Sequence, residues 1–264
     1  MTLTLTILGC GSSGGVPRIG NHWGQCDPAN PKNRRRRCSL LVRRRNEQGE
    51  TSVLIDTSPD LREQMLEQNV KALDAVLYTH EHADHTHGID ELRAFYIARR
   101  RRMPVWADEV TGTLLTSRFN YCFYTAPGSD YPPILDLNRL VAGTPLEIAG
   151  AGGTVTALPF EVDHGNINAL GFRFGNSAYT PDINGVPERS LQALQGLDLW
   201  IVDALRRDPH PSHFSLKETL EWIGRLKPKR AVITNMHIDL DFDALKAELP
   251  AGVEPAYDGM ILTA

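Results

Sequence analysis

Between Tyr78 and Gly88 the chain reads Tyr-Thr-His-Glu-His-Ala-Asp-His-Thr-His-Gly, and no other run constrains the fold as tightly. Three imidazoles and a carboxylate, from His80, His82, Asp84 and His85, fall inside six positions. The run follows Ala75-Val76-Leu77-Tyr78, an apolar stretch that reads as a buried strand, and it precedes Gly88 and a helical pattern over 88–98. The polar groups are therefore expected at the carboxyl end of a strand, where layered α/β proteins build their sites. Imidazole and carboxylate are the donors that zinc, manganese and iron take. The cluster reads as a metal site.

The elements around it fall into two halves. The first has strand-like runs at Thr2–Leu8, Ser39–Val42 and Ser52–Asp56, a helix over Asp60–Gln68, a short strand at 104–106 and a helix over 109–118. Tyr121–Asp136, with Pro127, Gly128, Pro132 and Pro133, reads as an irregular insertion or a lid, and the aromatic-rich segment Phe119–Tyr131 could stack a single base or cover the site. The second half has strands at Pro145–Ile148, Thr154–Pro159, Leu170–Phe174 and Ser177–Thr180, then a helix near 187–194 and a strand at Leu199–Asp203. A helix over 215–226 and a strand at Arg230–Thr234 follow. Ser215 and Glu218 form a capping box for that helix, and Leu216, Leu220 and Ile223 share one face. Two β-rich halves, each closed by helices, predict a layered α/β sandwich in one domain over residues 1–264.

The composition narrows the function classes. At 264 residues, 41% hydrophobic and 23% charged, the chain can bury a sizeable core. Its net charge of −4 argues against bulk attraction to nucleic acid. No segment approaches the 18 or so uncharged apolar residues of a membrane span, and the alternating start at Thr2–Leu8 does not read as a signal peptide. Four scattered cysteines without a Cys-x-x-Cys pair fit a reducing cytoplasm. The runs Arg34–Arg37, Arg43–Arg45 and Arg99–Arg102 read as solvated faces, although one or two arginines of the first could steer an anion. Gly9-Cys10-Gly11-Ser12-Ser13-Gly14 has the spacing of a dinucleotide fingerprint, but Gly15-Val16-Pro17 interrupts the helix that fingerprint needs. A Gly/Ser turn whose Ser12 and Ser13 could touch a phosphate oxygen is the better reading.

One loop cannot surround an ion, so further ligands must come from other strand ends. His164 follows Leu158-Pro159-Phe160, Asp182 follows Ala178-Tyr179-Thr180, and His237 follows Val232-Ile233-Thr234. Asp56, at the end of a strand, either accepts a ligand imidazole N–H or simply caps the strand. Asp203 can orient a histidine of the segment His210–His213.

This set, in this order, resembles the metallo-β-lactamase fold superfamily, whose His-x-His-x-Asp-His signature is met by His80, His82, Asp84 and His85. The resemblance implies a four-layer αββα sandwich. It also implies one metal on His80, His82 and His164, a second on Asp84, His85 and a late histidine, and Asp182 bridging the pair. Leu8-Gly9-Cys10-Gly11-Ser12-Ser13-Gly14-Gly15-Val16-Pro17, Val53–Asp56, Gly88–Arg93 and Tyr257-Asp258-Gly259-Met260 are similar to the phosphodiesterase branch. That branch holds the family of the phosphoribosyl cyclic phosphodiesterase of the carbon–phosphorus lyase (phosphonate) pathway, with ribonuclease Z as a more distant cousin.

Two positions depart from that pattern. The loop Gly20–Cys26 keeps one cysteine where the family has a zinc-binding cluster, so that extra zinc is expected to be absent and His22 to lie on the surface. The late ligand position reads Thr234-Asn235-Met236-His237, with asparagine in the histidine column. A continuing strand would turn His237 the same way, so His237 is expected to be the ligand. The resemblance also makes His213 a substrate-facing general acid or phosphate donor, with Asp84 at the reacting centre, and implies a homodimer.

The expected activity is a dinuclear hydrolase with zinc or manganese, acting on a small nucleotide-like or cyclic ribose phosphate. Two cations roughly 3.5–4 Å apart would activate a bridging hydroxide. A thioester or lactone hydrolase and a ribonuclease Z-like nuclease are the alternatives. A stable nucleic-acid partner is not expected, and neither is a membrane one.

Overall fold

The structure, a computed structural model, describes residues 2–263. Six strands come first: β1 (Thr2–Gly9), β2 (Ser39–Asn46), β3 (Gly49–Ile55), β4 (Ala75–Leu77), β5 (Met103–Ala107) and β6 (Leu135–Arg139). Seven follow: β7 (Leu146–Ile148), β8 (Val155–His164), β9 (Ile167–Phe174), β10 (Ser177–Thr180), β11 (Leu199–Asp203), β12 (Arg230–Thr234) and β13 (Val253–Pro255). β14 (Ile261–Thr263) returns to the first set. They form two seven-stranded sheets, in the orders β14-β1-β2-β3-β4-β5-β6 and β13-β12-β11-β10-β9-β8-β7. Each sheet is antiparallel on one side and parallel on the other, the change falling at β3 and at β10.

The central strands are apolar on both faces because both faces are covered. In β2, Leu40 and Val42 join the core between the sheets, while Leu41 packs under helices; Val53 and Ile55 of β3 divide from Leu54 in the same way. From the second sheet, Leu170, Phe172, Tyr179, Ile201 and Val232 complete the middle core. Leu61 and Met65 of the helix Leu61–Glu67, with Ile89, Leu92 and Phe95, cover the first sheet's outer face. Phe214, Ile223 and Leu226 cover Ala178, Trp200 and Val202 of the second. Each such side chain, fully buried, contributes about 1.5–3 kcal/mol of transfer free energy. The result is the four-layer αββα sandwich expected from the sequence.

The capping box is formed: Ser215 Oγ accepts from the Glu218 N–H at 3.4 Å, and Glu218 Oε2 accepts from the Ser215 N–H at 2.8 Å. Other expectations shift. The helix over 88–98 is a 3-10 turn at Ile89–Leu92 followed by an α-helix at Arg93–Arg99, and 188–194 is 3-10 throughout. The strand expected to stop at Pro159 continues to His164. It turns through Gly165, held at φ +63°, and Asn166, so that His164 pairs with Ile167. The supposed lid contains a short helix, Asn120–Phe123, and the first residues of β6. β13, β14 and the helix Phe242–Glu248 carry no clear sequence signal and lie outside the expected elements.

Candidate metal centre

The β3 and β4 ends meet at Asp56, which is fully buried and sits at φ +63°. Left-handed backbone at a non-glycine residue is a strained choice that persists where function or packing demands it. Here it turns one carboxylate toward three partners. Asp56 Oδ1 accepts from the Thr79 N–H at 2.8 Å, while Oδ2 accepts from Thr79 Oγ1 at 2.8 Å and from His85 Nδ1 at 2.8 Å. Thr79 Oγ1 is in turn 2.9 Å from His80 Nδ1. With its hydrogen given to Asp56, that hydroxyl can only accept, so His80 carries its proton on Nδ1. One buried carboxylate thus fixes the tautomer of two imidazoles and leaves both Nε2 lone pairs facing inward. His164, on β8, follows the same rule: its Nδ1 donates to the Ser212 carbonyl at 2.6 Å.

The inward atoms converge. His80, His82, His164 and Asp182 each offer a ligand atom within 4.8 Å of the others, and so do Asp84, His85 and Asp182. Asp182 Oδ2, just past β10, is shared: it lies 3.5 Å from His80 Nε2, 3.3 Å from His85 Nε2 and 3.6 Å from His164 Nε2. His164 Nε2 and His82 Nδ1 stand 3.2 Å apart. His80 Nε2 and His85 Nε2 are buried with no hydrogen-bond partner. Orphaned buried nitrogens cost stability unless something accepts their lone pairs. These donors fit a pair of divalent cations.

The electrostatics point the same way. Burial, with the neighbouring His85, holds the His80 imidazole well below its ordinary pKa, and burial lowers that of His164. Both are therefore neutral ligands. Asp182 and Asp84 are held below the usual carboxylate range because nearby histidines, His85 foremost, outweigh the cost of burial. His85 is pulled upward against its own burial by Asp182, Asp84 and Asp56. Three carboxylates around one imidazole make a pocket that demands positive charge.

The structure overturns one expected ligand. β12 ends at Thr234, and Asn235 then takes φ +60°. The alternation that would have returned His237 to the same side is broken. Asn235, buried, reaches the cluster instead: its Nδ2 donates to Asp182 Oδ1 at 3.0 Å and lies 3.2 Å from His213 Nδ1. His237 faces another way, with Nδ1 at 2.7 Å from Asp239 Oδ1 and Nε2 on the Arg18 guanidinium.

The other expected residues divide. His213 lies against the cluster, its ring centroid 4.7 Å from that of His164. Its Nδ1 is 2.7 Å from Asp203 Oδ2. Burial disfavours its imidazolium, but the Asp203 charge and hydrogen bond, with Asp182 and Asp84, push its pKa up to about 9. Ser12 is buried next to Met236, whose carbonyl accepts its N–H at 3.2 Å, whereas Ser13 is exposed. Cys26 packs with Val16 and Ile238, and His22 is exposed. His87 packs edge-on against Phe119. The 34–37 arginines are largely spoken for: Arg35 is buried on the His237 and Leu240 carbonyls, Arg36 pairs with Glu67 and Arg37 with Asp60. Sequence reading misses Thr79 as a member of the site. The adjacency of Thr79 to His80 is the only available signal.

Comparison with known proteins agrees with this geometry. The family described as the beta-lactamase superfamily domain matches residues 51–238. An octanoyltransferase from Porphyromonas gingivalis is 32% identical over 259 residues, covering 96% of this chain and 50% of that protein. The chain thus spans about half the length of that curated relative. A crystal structure described as a new diphosphatase from the PhnP family is 36% identical, with a TM-score of 0.87, covering 100% of this chain and 98% of the other. Zinc-bound PqqB from Methylobacterium extorquens shares the fold at 17% identity and a TM-score of 0.73, covering 98% and 99%. No helix among the described residues is long and apolar enough to cross a membrane. The matched segment contains both ligand groups, and the PhnP-family match runs end to end; the chain belongs to the beta-lactamase superfamily, in its PhnP-family branch, and has the metallo-β-lactamase fold.

Proposed function

We propose that this hydrolase cleaves phosphodiester bonds in small phosphorylated, nucleotide-like substrates, with two divalent ions, zinc or manganese, in the adjoining ligand groups. The observation that carries this reading is His213, a hydrogen-bond donor set against His164 and held there by Asp203. A phosphodiester presents anionic oxygens to such a donor, whereas a neutral thioester or lactone does not require one. The PhnP-family diphosphatase, 36% identical over the full chain, supports hydrolysis of a phosphorylated substrate. The octanoyltransferase supports acyl chemistry less, because half of that protein has no counterpart in this chain.

Each residue has a part. His80, His82 and His164 would hold one ion, Asp84 and His85 the other, and Asp182 both. Divalent ions there supply Lewis acidity and a water acidified toward neutral pH. With Nδ1 committed to Asp203, His213 has its Nε2–H free to donate to a phosphoryl oxygen or to protonate the leaving oxygen. Asp203, fully buried, keeps that proton on the ring. Asp56 keeps His80 and His85 in the ligand tautomer. The test is a side-by-side assay of bis(p-nitrophenyl) phosphate, a thioester and a lactone with the metal-loaded protein. Preferred turnover of the phosphodiester is expected; preferred turnover of either acyl substrate overturns the reading.

A further inference from the structure

Two of the arginine runs that read as solvated faces come together in the fold. Arg43 and Arg45, two residues apart on β2, share the helix-covered side of the first sheet with Leu41, whereas Arg44 faces the other way, onto the Thr154 carbonyl. Lys71 lies in the segment before β4, and Arg99–Arg102 close the helix Arg93–Arg99 and lead into β5. Arg43, Arg45, Lys71 and Arg99 line one cavity of about 400 Å³. Arg101 and Arg102 line a smaller recess that shares Arg99 and Asp74 with it. Glu50 and Ser52, early in β3, belong to the cavity wall, and Asp56 follows the end of that strand. The cavity therefore sits on the rim away from the metal centre, about 13–20 Å along the strand.

The carboxylates at this rim do not balance the cations. Glu50 is taken by Arg45, and its other oxygen accepts from Ser52 Oγ at 2.7 Å. Asp74 is divided between Arg99, at 3.6 Å, and the Ser52 N–H, at 2.9 Å. Arg102 pairs with Asp136 at 3.1 Å. Arg43, Lys71 and Arg101 are left over: among the described residues none of them has a carboxylate within 4.0 Å. Arg43 is half-buried; its Nη2 donates to Thr6 Oγ1 at 3.3 Å, and its Nε is buried with no partner. Burial lowers its pKa against the pull of Glu50. A desolvated guanidinium N–H without an acceptor is costly, and an incoming oxyanion removes that cost.

The wall also selects the kind of occupant. Gln68 and Asn69 add neutral donors, and Ala72 and Ala151 are its only apolar residues. Protein–protein interfaces keep charge away from their centres. A concave wall of cations with almost no hydrocarbon suits a compact, multiply charged small anion. We propose that this rim is a second ligand site, separate from the metal centre, that binds the oligophosphate chain of a small molecule through Arg43 and Lys71, with Arg101 in the adjoining recess. The chain is either inorganic or the phosphate tail of a nucleotide. The site does not depend on what the metal centre hydrolyses.

Lysine acetylation by sulfo-N-hydroxysuccinimide acetate, read residue by residue by mass spectrometry on the metal-loaded protein, tests this at the site itself, so anion bound at the metal centre does not register. Tripolyphosphate should slow modification of Lys71 severalfold and leave the exposed Lys217 unchanged. Arg43→Ala and Arg101→Ala should each raise the concentration that half-protects Lys71 by roughly tenfold, the scale of one lost charge-assisted contact. Equal protection by ATP assigns the site to a nucleotide's tail, and protection by tripolyphosphate alone assigns it to the inorganic chain. Lys71 modified at one rate with and without both anions, protection that extends equally to Lys217, or a midpoint unchanged in both folded arginine variants overturns the site.

Discussion

Asn235 Nδ2 lies 3.0 Å from Asp182 Oδ1, beside the ligand group of Asp84, His85 and Asp182. The other group has three imidazoles and the shared carboxylate; this one has a single imidazole and two carboxylates. A carboxamide is a poor donor to zinc or manganese, so Asn235 leaves the pair of groups unequal in strength. It serves Asp182 as a hydrogen-bond donor, orienting the carboxylate shared by the two groups through the oxygen that does not face the imidazoles.

The inequality predicts stepwise metal loading. Titration of the metal-free protein against a competing chelator should give two affinities, with the His80, His82, His164 group filling first. Asn235→His should strengthen the weaker step by roughly tenfold or more, the scale of a single change around a metal ligand. An unchanged weaker step would mean that position 235 does not face the second ion.

Asp56 ties His85 directly and His80 through Thr79. Asp56→Asn keeps a residue that tolerates φ +63° but removes the charge and one acceptor. Metal affinity should fall by about 10–100-fold with the circular dichroism spectrum preserved. Undiminished affinity would make Asp56 only a cap on β3.

His213 sets the alkaline limb of activity. Its imidazolium is the working form, so the rate should be full at neutral pH and fall as pH rises through about 9. Asp203→Asn removes the charge that holds the proton. The His213 pKa should then drop and the limb move to lower pH by about one unit or more. His213→Ala should lower kcat by roughly 10²–10⁴-fold with little change in metal content. A pH profile that Asp203→Asn leaves in place contradicts this assignment.

Two glycines should respond in opposite directions. A Cβ at Gly88 would come within 2.0 Å of the Ser58 carbonyl oxygen, just behind the histidine loop. Gly88→Ala should therefore cost about 1–3 kcal/mol or more and loosen the metal site. Gly224 lies inside the helix Leu216–Leu226, and a Cβ added there would meet nothing within 4 Å. Gly224→Ala should stabilise by about 0.5–1 kcal/mol. Chemical denaturation of both variants checks the signs.

What could be read from the sequence follows from how local each signal is. The apolar run before His80, the capping box at Ser215 and the apolar runs of β2 and β3 are short-range patterns, and the structure reproduces them. The His-x-His-x-Asp-His motif is equally local, and its four side chains reach the two ligand groups. His164 is legible although its strand reads short, because Asp163-His164-Gly165-Asn166 has the composition of a turn and the strand runs into it. His237 is misread for a single backbone angle: a left-handed Asn235 cannot be inferred from Thr-Asn-Met-His. The contact of Arg18 with His237 is invisible because the two lie 219 residues apart. β14 pairs with β1 across nearly the whole chain, and three residues carry too little periodicity to announce it.

If the His/Asp cluster binds metal and that metal drives phosphodiester hydrolysis, ions and turnover must be gained and lost together. Elemental analysis read beside bis(p-nitrophenyl) phosphate turnover, for wild type and Asp182→Ala, tests this most directly. Wild type should carry up to two divalent ions per chain, lose turnover with them on chelation and recover it when they are restored. Asp182→Ala should bind fewer ions and turn over slower by orders of magnitude. Turnover that survives complete removal of metal, or a wild-type protein that takes up none, would contradict the account.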